Sequence, residues 1–161
     1  MTTSVKIIAA GKLKEKYLQD GTAEYAKRLN SFINLEFVEI PDEPLPKNPS
    51  DSQIKKILDN EGKNILSHIK ERDYVILLDL KGEMTDSETL AAKIKSLELS
   101  GLGRIVFVIG GSLGVSESLI EKANFRLCLS KLTFTHQMAR FILTEQLYRA
   151  YSINSGGKYH R

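Results

Sequence analysis

The sequence predicts an α/β fold in which a parallel sheet carries helices on both faces, and three observations carry that prediction. Strand-like and helix-like patterns alternate along the chain from Val5 to Ile153. Two of the strand segments, "YVILLDL" and "IVFVIGG", are apolar almost without interruption, as strands buried on both faces are. A chain of 161 residues with 42% hydrophobic content is long enough for one proper core, so residues 1–161 read as one domain.

Each element follows from its own residues. "VKIIAAG" reads as a strand, and "KEKYLQDGTAEYAKRLNSF" places Tyr17, Leu18, Tyr25, Leu29 and Phe32 at helical spacing, with Gly21 weakening its middle. "INLEFVEI" alternates as a strand again. "PDEPLPKNPS" holds all four prolines within nine residues, a density that no regular element survives, so it is a surface loop. Ser50 and Gln53 form a capping box for the helix "DSQIKKILDNEGKNILSHIK". The strand after it ends near Leu80. Thr85 with Glu88 reads as the cap of "DSETLAAKIKSLELS", and the glycines of "SGLGR" lead into the next strand. The helix "SESLIEKAN", the strand "FRLCLS" and a long helical pattern from about His136 to Ile153 complete the chain.

Composition excludes several function classes. One cysteine, Cys128, allows no disulfide framework, and one cysteine with three scattered histidines assembles no metal cluster, so the expectation is a reduced, cytoplasmic protein without metal. The opening "MTTSVKIIAAGKLKEKY" has its lysines behind a short apolar run, unlike a secretory signal, and nothing approaches transmembrane length. Net charge is only +3, yet residues 131–161 carry five Lys or Arg against the single Glu145. That basic end is either a solvated surface or a nucleic-acid contact.

Ligands of open α/β sheets bind beyond the carboxyl ends of the strands, which brings forward three loops: "LDLKGEM", "IGGSLG" and "LSKLTFTH". The glycine loop reads G-G-x-x-G, not the G-x-G-x-x-G of dinucleotide sites, and it lacks the lysine and hydroxyl of a P-loop, so phosphate cradling is disfavoured. Its glycines either permit a tight turn or clear space for a flat ligand against the main chain. In "HQMARFILTEQLYRAYSI" apolar residues cover most of the helix circumference, which fits either a central core helix or a helix whose second face meets another subunit.

The segments "AGKLKEKY", "FVIGGSLG", "LSKLTFTHQMARFILTEQLYRAY" and "GGKYHR" resemble a bacterial family of ribosomal RNA methyltransferases that modify N3 of a pseudouridine in 23S RNA, small members of the knotted SPOUT superfamily. The resemblance runs from Val5 to Arg161. It implies a C-terminal trefoil knot, which periodicity does not reveal. It implies S-adenosylmethionine bound in that knot by Leu78, Gly110, Leu129, Ser130, Lys131, Leu132, Thr133 and Phe134. It further implies a homodimer whose partner chain helps to close each site, acting on 23S ribosomal RNA in the assembled ribosome.

With an activated methyl supplied, the protein must align a nitrogen and deal with its proton. Tyr159, His160 and Arg161 follow a flexible "SGG": His160 is a reasonable base or hydrogen-bond partner, Arg161 a phosphate or base contact, and Tyr159 a stacking surface. Read alone, such a tail is disordered surface. His136 reads as the start of the last helix, near the cofactor loop, and His68 as structural or exposed. Arg140 and Arg149 face RNA or pair across a dimer. The competing reading is a nonenzymatic RNA-binding or ribosome assembly factor that kept the knot and lost methyl transfer.

Overall fold

The computed structural model describes residues 2–161. Its strands are β1 (Thr3–Ala10), β2 (Ile33–Ile40), β3 (Tyr74–Met84), β4 (Ile105–Ile109) and β5 (Phe125–Cys128). Its helices are α1 (Lys16–Leu29), α2 (Asp51–Leu66), α3 (Ser87–Leu99), α4 (Glu117–Lys122) and α5 (His136–Asn154). The strands pair in the order β2-β1-β4-β3-β5, every pair parallel.

The two-sided apolar strands are explained by where alternate residues go. Val5, Ile7 and Ala9 of β1, Ile76 of β3, and Ile105, Phe107 and Ile109 of β4 face α1, α3 and α5, meeting Leu29, Ile94, Leu143 and Leu147. Ile8, Val75, Leu77, Val106 and Val108 face the opposite side, where Ile65 of α2 and Leu119 of α4 cover them. Phe107 and Ile76 are fully buried, and burying a side chain of that size contributes roughly 1.5–3 kcal/mol.

The capping box of α2 forms as the sequence predicts, Ser50 accepting from the Gln53 N–H while the Gln53 side chain returns to the Ser50 N–H. The cap of α3 lies one residue later than Thr85: Asp86 accepts from the Thr89 N–H. Thr-Asp-Ser-Glu and Asp-Ser-Glu-Thr both offer a short oxygen ahead of a helix, and the carboxylate wins. Helix α2 stops at Leu66, which places His68 in the turn beyond it.

Strand β3 runs past Leu80 to Met84. Leu78 pairs with Leu127, four residues bulge out, and Glu83 re-enters opposite the same Leu127. Gly82 makes the bulge possible, because a Cβ there would lie 2.5 Å from the Arg126 carbonyl oxygen. Arg126 closes it with an ion pair to Asp79 at 2.6 Å.

Gly21 has the same kind of reason: a Cβ would lie 2.6 Å from the Phe141 ring, so glycine lets α1 approach α5. Helix α5 thus packs on α1, on α3 and on the sheet, while Met138 and Ile142 remain half-exposed. Among the described residues no helix is long and apolar enough to cross a membrane.

Candidate active site at the carboxyl ends of the strands

Pairing of Ala9 with Ile109 brings the ends of β1 and β4 out side by side, so Gly11 and the Gly110 loop emerge as neighbours. The chain leaves β1 outward to β2 and then returns on the far side of β1, the kind of reversal that opens a crevice above a parallel sheet. Loops 110–114 and 129–135 and the turn from β3 into α3 line up along this edge.

The glycine loop forms the tight turn that its sequence allowed. Gly111 and Gly114 bridge across a tight turn, with the Gly114 N–H donating to the Gly111 carbonyl at 3.1 Å, and Gly114 has a φ of +100°. At Gly110 the constraint is space: a Cβ would lie 2.5 Å from Val115 Cγ1 and 2.7 Å from the Gly114 carbonyl oxygen. The clearance at Gly110 is therefore taken up by its own loop. At Gly111 the nearest atoms to such a Cβ stand at 3.4 Å or beyond, which leaves this backbone approachable.

Beside the end of β5 a cleft of about 360 Å³ is walled by Leu90, Leu127, Leu129 and Ile142, with Ser87, Asp86 and Glu88 at its mouth. A groove of about 380 Å³ between α2 and α4 holds none of the expected site residues. Of those residues, Leu129 lines the cleft and Leu78 packs beside it on the core. Ser130 accepts from the Leu132 N–H, which turns the chain, and Phe134 is half-buried. Lys131 and Thr133 are exposed, and Leu132 is 75% exposed, so it walls nothing within this chain.

The tail is docked, contrary to the flexible segment its glycines suggest. Tyr159 donates to Glu145 at 2.9 Å and bonds the Tyr25 hydroxyl at 2.9 Å, while its ring stands edge-on to Tyr148 and lies beneath the Arg149 guanidinium. Burial, together with the Tyr25 bond and the Glu145 carboxylate, raises the pKa of the Tyr159 hydroxyl. The His160 imidazole is held at both nitrogens: Nδ1 faces Arg149 at 3.0 Å and Nε2 faces Glu88 at 2.8 Å. Arginine can only donate, so Nδ1 is the acceptor and Nε2 carries the hydrogen given to Glu88. Docked in this way, His160 has both ring nitrogens engaged by neighbouring side chains. Arg161 is exposed.

Through Glu88 the tail reaches the mouth of the Leu129 cleft. The bond from His160 holds the Glu88 carboxyl below the usual carboxylate range, and the Thr89 bonds do the same for Asp86. Both therefore stay ionised near neutral pH and give the cleft a negative rim.

Sequence reasoning passed over Glu61. This α2 residue is only 9% exposed and lies over Gly111, and burial raises its pKa. The one available signal is its neighbour Gly62, where a Cβ would collide with Ser116, a mark of close packing at that turn.

The family model described as "Predicted SPOUT methyltransferase" matches residues 3–160. Proteins named "Ribosomal RNA large subunit methyltransferase H" are similar over nearly their whole length. That of Clostridium novyi is 50% identical, that of Alkaliphilus oremlandii 48% and that of Pediococcus pentosaceus 45%, each over 98% of this chain and 99% of the relative. With the family model matched over nearly the whole chain and relatives at 45–50% identity, the chain belongs to the SPOUT methyltransferase family.

Proposed function

We propose that residues 1–161 act as a single methyltransferase domain that transfers a methyl group from S-adenosylmethionine to N3 of a pseudouridine in 23S ribosomal RNA, as a homodimer working on the assembled ribosome. The observation that carries this reading is near-full-length identity of 45–50% to relatives named for large-subunit ribosomal RNA methylation.

The residues present fit such a donor. A cleft of about 360 Å³ with leucine walls suits an apolar heterocycle, and ionised Asp86 and Glu88 at its mouth suit a cationic sulfonium and ammonium. Leu78 and Leu129 would hold it by apolar contact, and Gly110, Ser130, Lys131, Leu132, Thr133 and Phe134 through the backbone of their loops. When bound, the donor supplies a methyl group activated by positive sulfur.

The chain's own part is alignment. Tyr159 pins the tail against α1 and α5, His160 orients Glu88 at the mouth of the cleft, and Arg161 stands free to meet RNA phosphate. The family carries a C-terminal trefoil knot, which would hold loop 129–135 rigidly for this purpose. Exposed Leu132 and half-exposed Met138 and Ile142 support a second subunit against this side of α5.

Ribosomes lacking the modification, incubated with the protein and methyl-labelled S-adenosylmethionine, test the reading. Label in 23S RNA is expected. Label that appears only in protein or in no macromolecule would overturn it.

A further inference from the structure

A second group of side chains meets at the carboxyl ends of β1, β2 and β4. A methyl group built on Gly11 would lie 3.0 Å from both Asp42 Oδ2 and His136 Nε2. One built on Gly111 would lie 3.4 Å from Glu61 Oε1 and 3.9 Å from Asp42 Oδ1. Two bare glycine backbones thus run between an imidazole and a buried carboxyl, with Asp42 reaching toward both glycines.

Glu61 accepts one bond, from the Glu43 N–H to Oε2 at 3.4 Å. Its Oε1 takes no hydrogen bond among the described residues, although Glu61 is nine-tenths buried. The ring nitrogens of His136 likewise make no hydrogen bond among the described residues. His160, by contrast, is engaged at both nitrogens. Behind the crevice, Arg140 holds Gly11 in place, donating to its carbonyl at 2.9 Å and to Glu39 at 2.7 Å.

We propose that this crevice seats the target base, with Glu61 as the catalytic base for N3 and His136 as a donor to a neighbouring ring carbonyl. The inference rests on the function proposed above. A uracil-type ring presents an N–H flanked by two carbonyl oxygens, and a free carboxylate oxygen beside an imidazole N–H is the complementary set. Cytosine presents a lone pair at N3 and would set it against the carboxylate, so the same pair rejects it. Only Gly111 offers its backbone to the ring, since a methyl group there would meet nothing closer than 3.4 Å, whereas Asp42 and His136 close directly on Gly11.

In the reaction the N3 proton passes to the Glu61 carboxylate and the nitrogen pair forms the new N–CH₃ bond. The electrons of the breaking S–CH₃ bond stay on sulfur, which becomes a neutral thioether. The groups around the acceptor set its proton affinity: burial raises the pKa of Glu61, and the charges of Asp42 and Glu43 raise it further, while the Glu43 N–H lowers it. Arg140 and Glu39 face Gly11 from behind as an ion pair, and Lys12 is the next residue along the chain.

The test uses full-length wild type, Glu61→Gln, Glu61→Asp and His136→Asn with unmodified ribosomes. Glu61→Gln should lower kcat about 100-fold or more, with KM for ribosomes within about 3-fold, and should remove the acidic limb of the kcat–pH profile. Donor affinity by calorimetry should not change. Glu61→Asp should recover part of kcat together with the acidic limb, and His136→Asn should act mainly through KM. Glu61→Gln within about 3-fold of wild-type kcat, a persisting acidic limb, or a parallel fall in donor affinity would overturn the assignment. If Glu61→Gln does not fold, the same acidic limb in wild type and its shift in Glu61→Asp decide the matter. A wild-type chain that transfers no methyl refutes the proposed function and this inference with it, whereas an active wild type with an unimpaired Glu61→Gln refutes this inference alone.

Discussion

Replacing Arg140 by methionine should loosen the point at which the fold holds its own site. The Arg140 side chain is 4% exposed and bridges two elements, donating from one amino group to Glu39 Oε2 at 2.7 Å and from the other to the Gly11 carbonyl at 2.9 Å. Its Nε is already buried without a partner among the described residues, so its net contribution is less than two good bonds would suggest. Removing one member of a buried ion pair costs about 3–5 kcal/mol when the other charge is stranded. Here Glu39 is 44% exposed and water takes it up, which reduces that cost. The Gly11 carbonyl stays behind without its donor, a loss of about 1–3 kcal/mol. Methionine refills much of the volume, so the expected destabilisation is about 2–4 kcal/mol, or on the order of 10 °C in Tm for a chain of this size.

Urea titration at pH 7 and pH 3 measures this effect. The bond from Arg140 holds the Glu39 carboxyl below its usual range, so the pair contributes fully above the unfolded carboxylate pKa and loses its contribution as pH falls through the folded one. The gap between wild type and Arg140→Met should therefore narrow at pH 3. A loss under about 1 kcal/mol, or a gap that acid leaves unchanged, would refute the clamp.

Other predictions follow from single contacts. Gly110→Val drives a branched Cβ into Val115 and the Gly114 carbonyl; urea titration should show a loss of about 1–3 kcal/mol, with calorimetry showing weakened donor binding. In acid titrations followed by circular dichroism, the Arg104–Asp73 pair should act as Glu39 does. Burial alone would raise Asp73, but the Arg104 fork and the Lys70 N–H hold it low, so its stabilisation is lost as pH falls below about 4. Glu61→Gln should raise stability at pH 7 while impairing catalysis. A carboxyl with a raised folded pKa opposes folding once pH exceeds its unfolded value, and the amide removes that opposition. Deleting residues 157–161 should abolish methyl transfer to ribosomes in a labelled assay yet leave donor affinity in place.

Where periodicity is local, the sequence was legible. Strands β1 and β4 announce themselves because both of their faces are covered, and the α2 cap because its reciprocal bonds span three residues. What escaped depends on partners distant in the chain. The extension of β3 to Met84 reads as loop because Lys-Gly-Glu is polar, and only pairing with Leu127 and Cys128 makes it strand. Gly21 looks like a defect in a helix until Phe141, 120 positions later, occupies the missing side chain's space. The tail resembles a disordered end because Tyr25, Glu145 and Arg149, which hold it, lie on two other stretches of helix. Leu129, which lines the cleft beside β5, was named by resemblance. Glu61 was not, since a lone acid in "LDNEGKN" reads as a solvated helix face.

The claim on which the rest stands is that the loops at the carboxyl ends of β3, β4 and β5 hold the methyl donor. Titration of the leucine methyl-labelled protein with S-adenosylmethionine, followed by NMR, addresses it directly. Saturable shifts at Leu78, Leu129 and Leu132, with Leu58 in the α2/α4 groove unmoved, are the predicted result. Shifts centred on Leu58, or none at saturating donor, would contradict it.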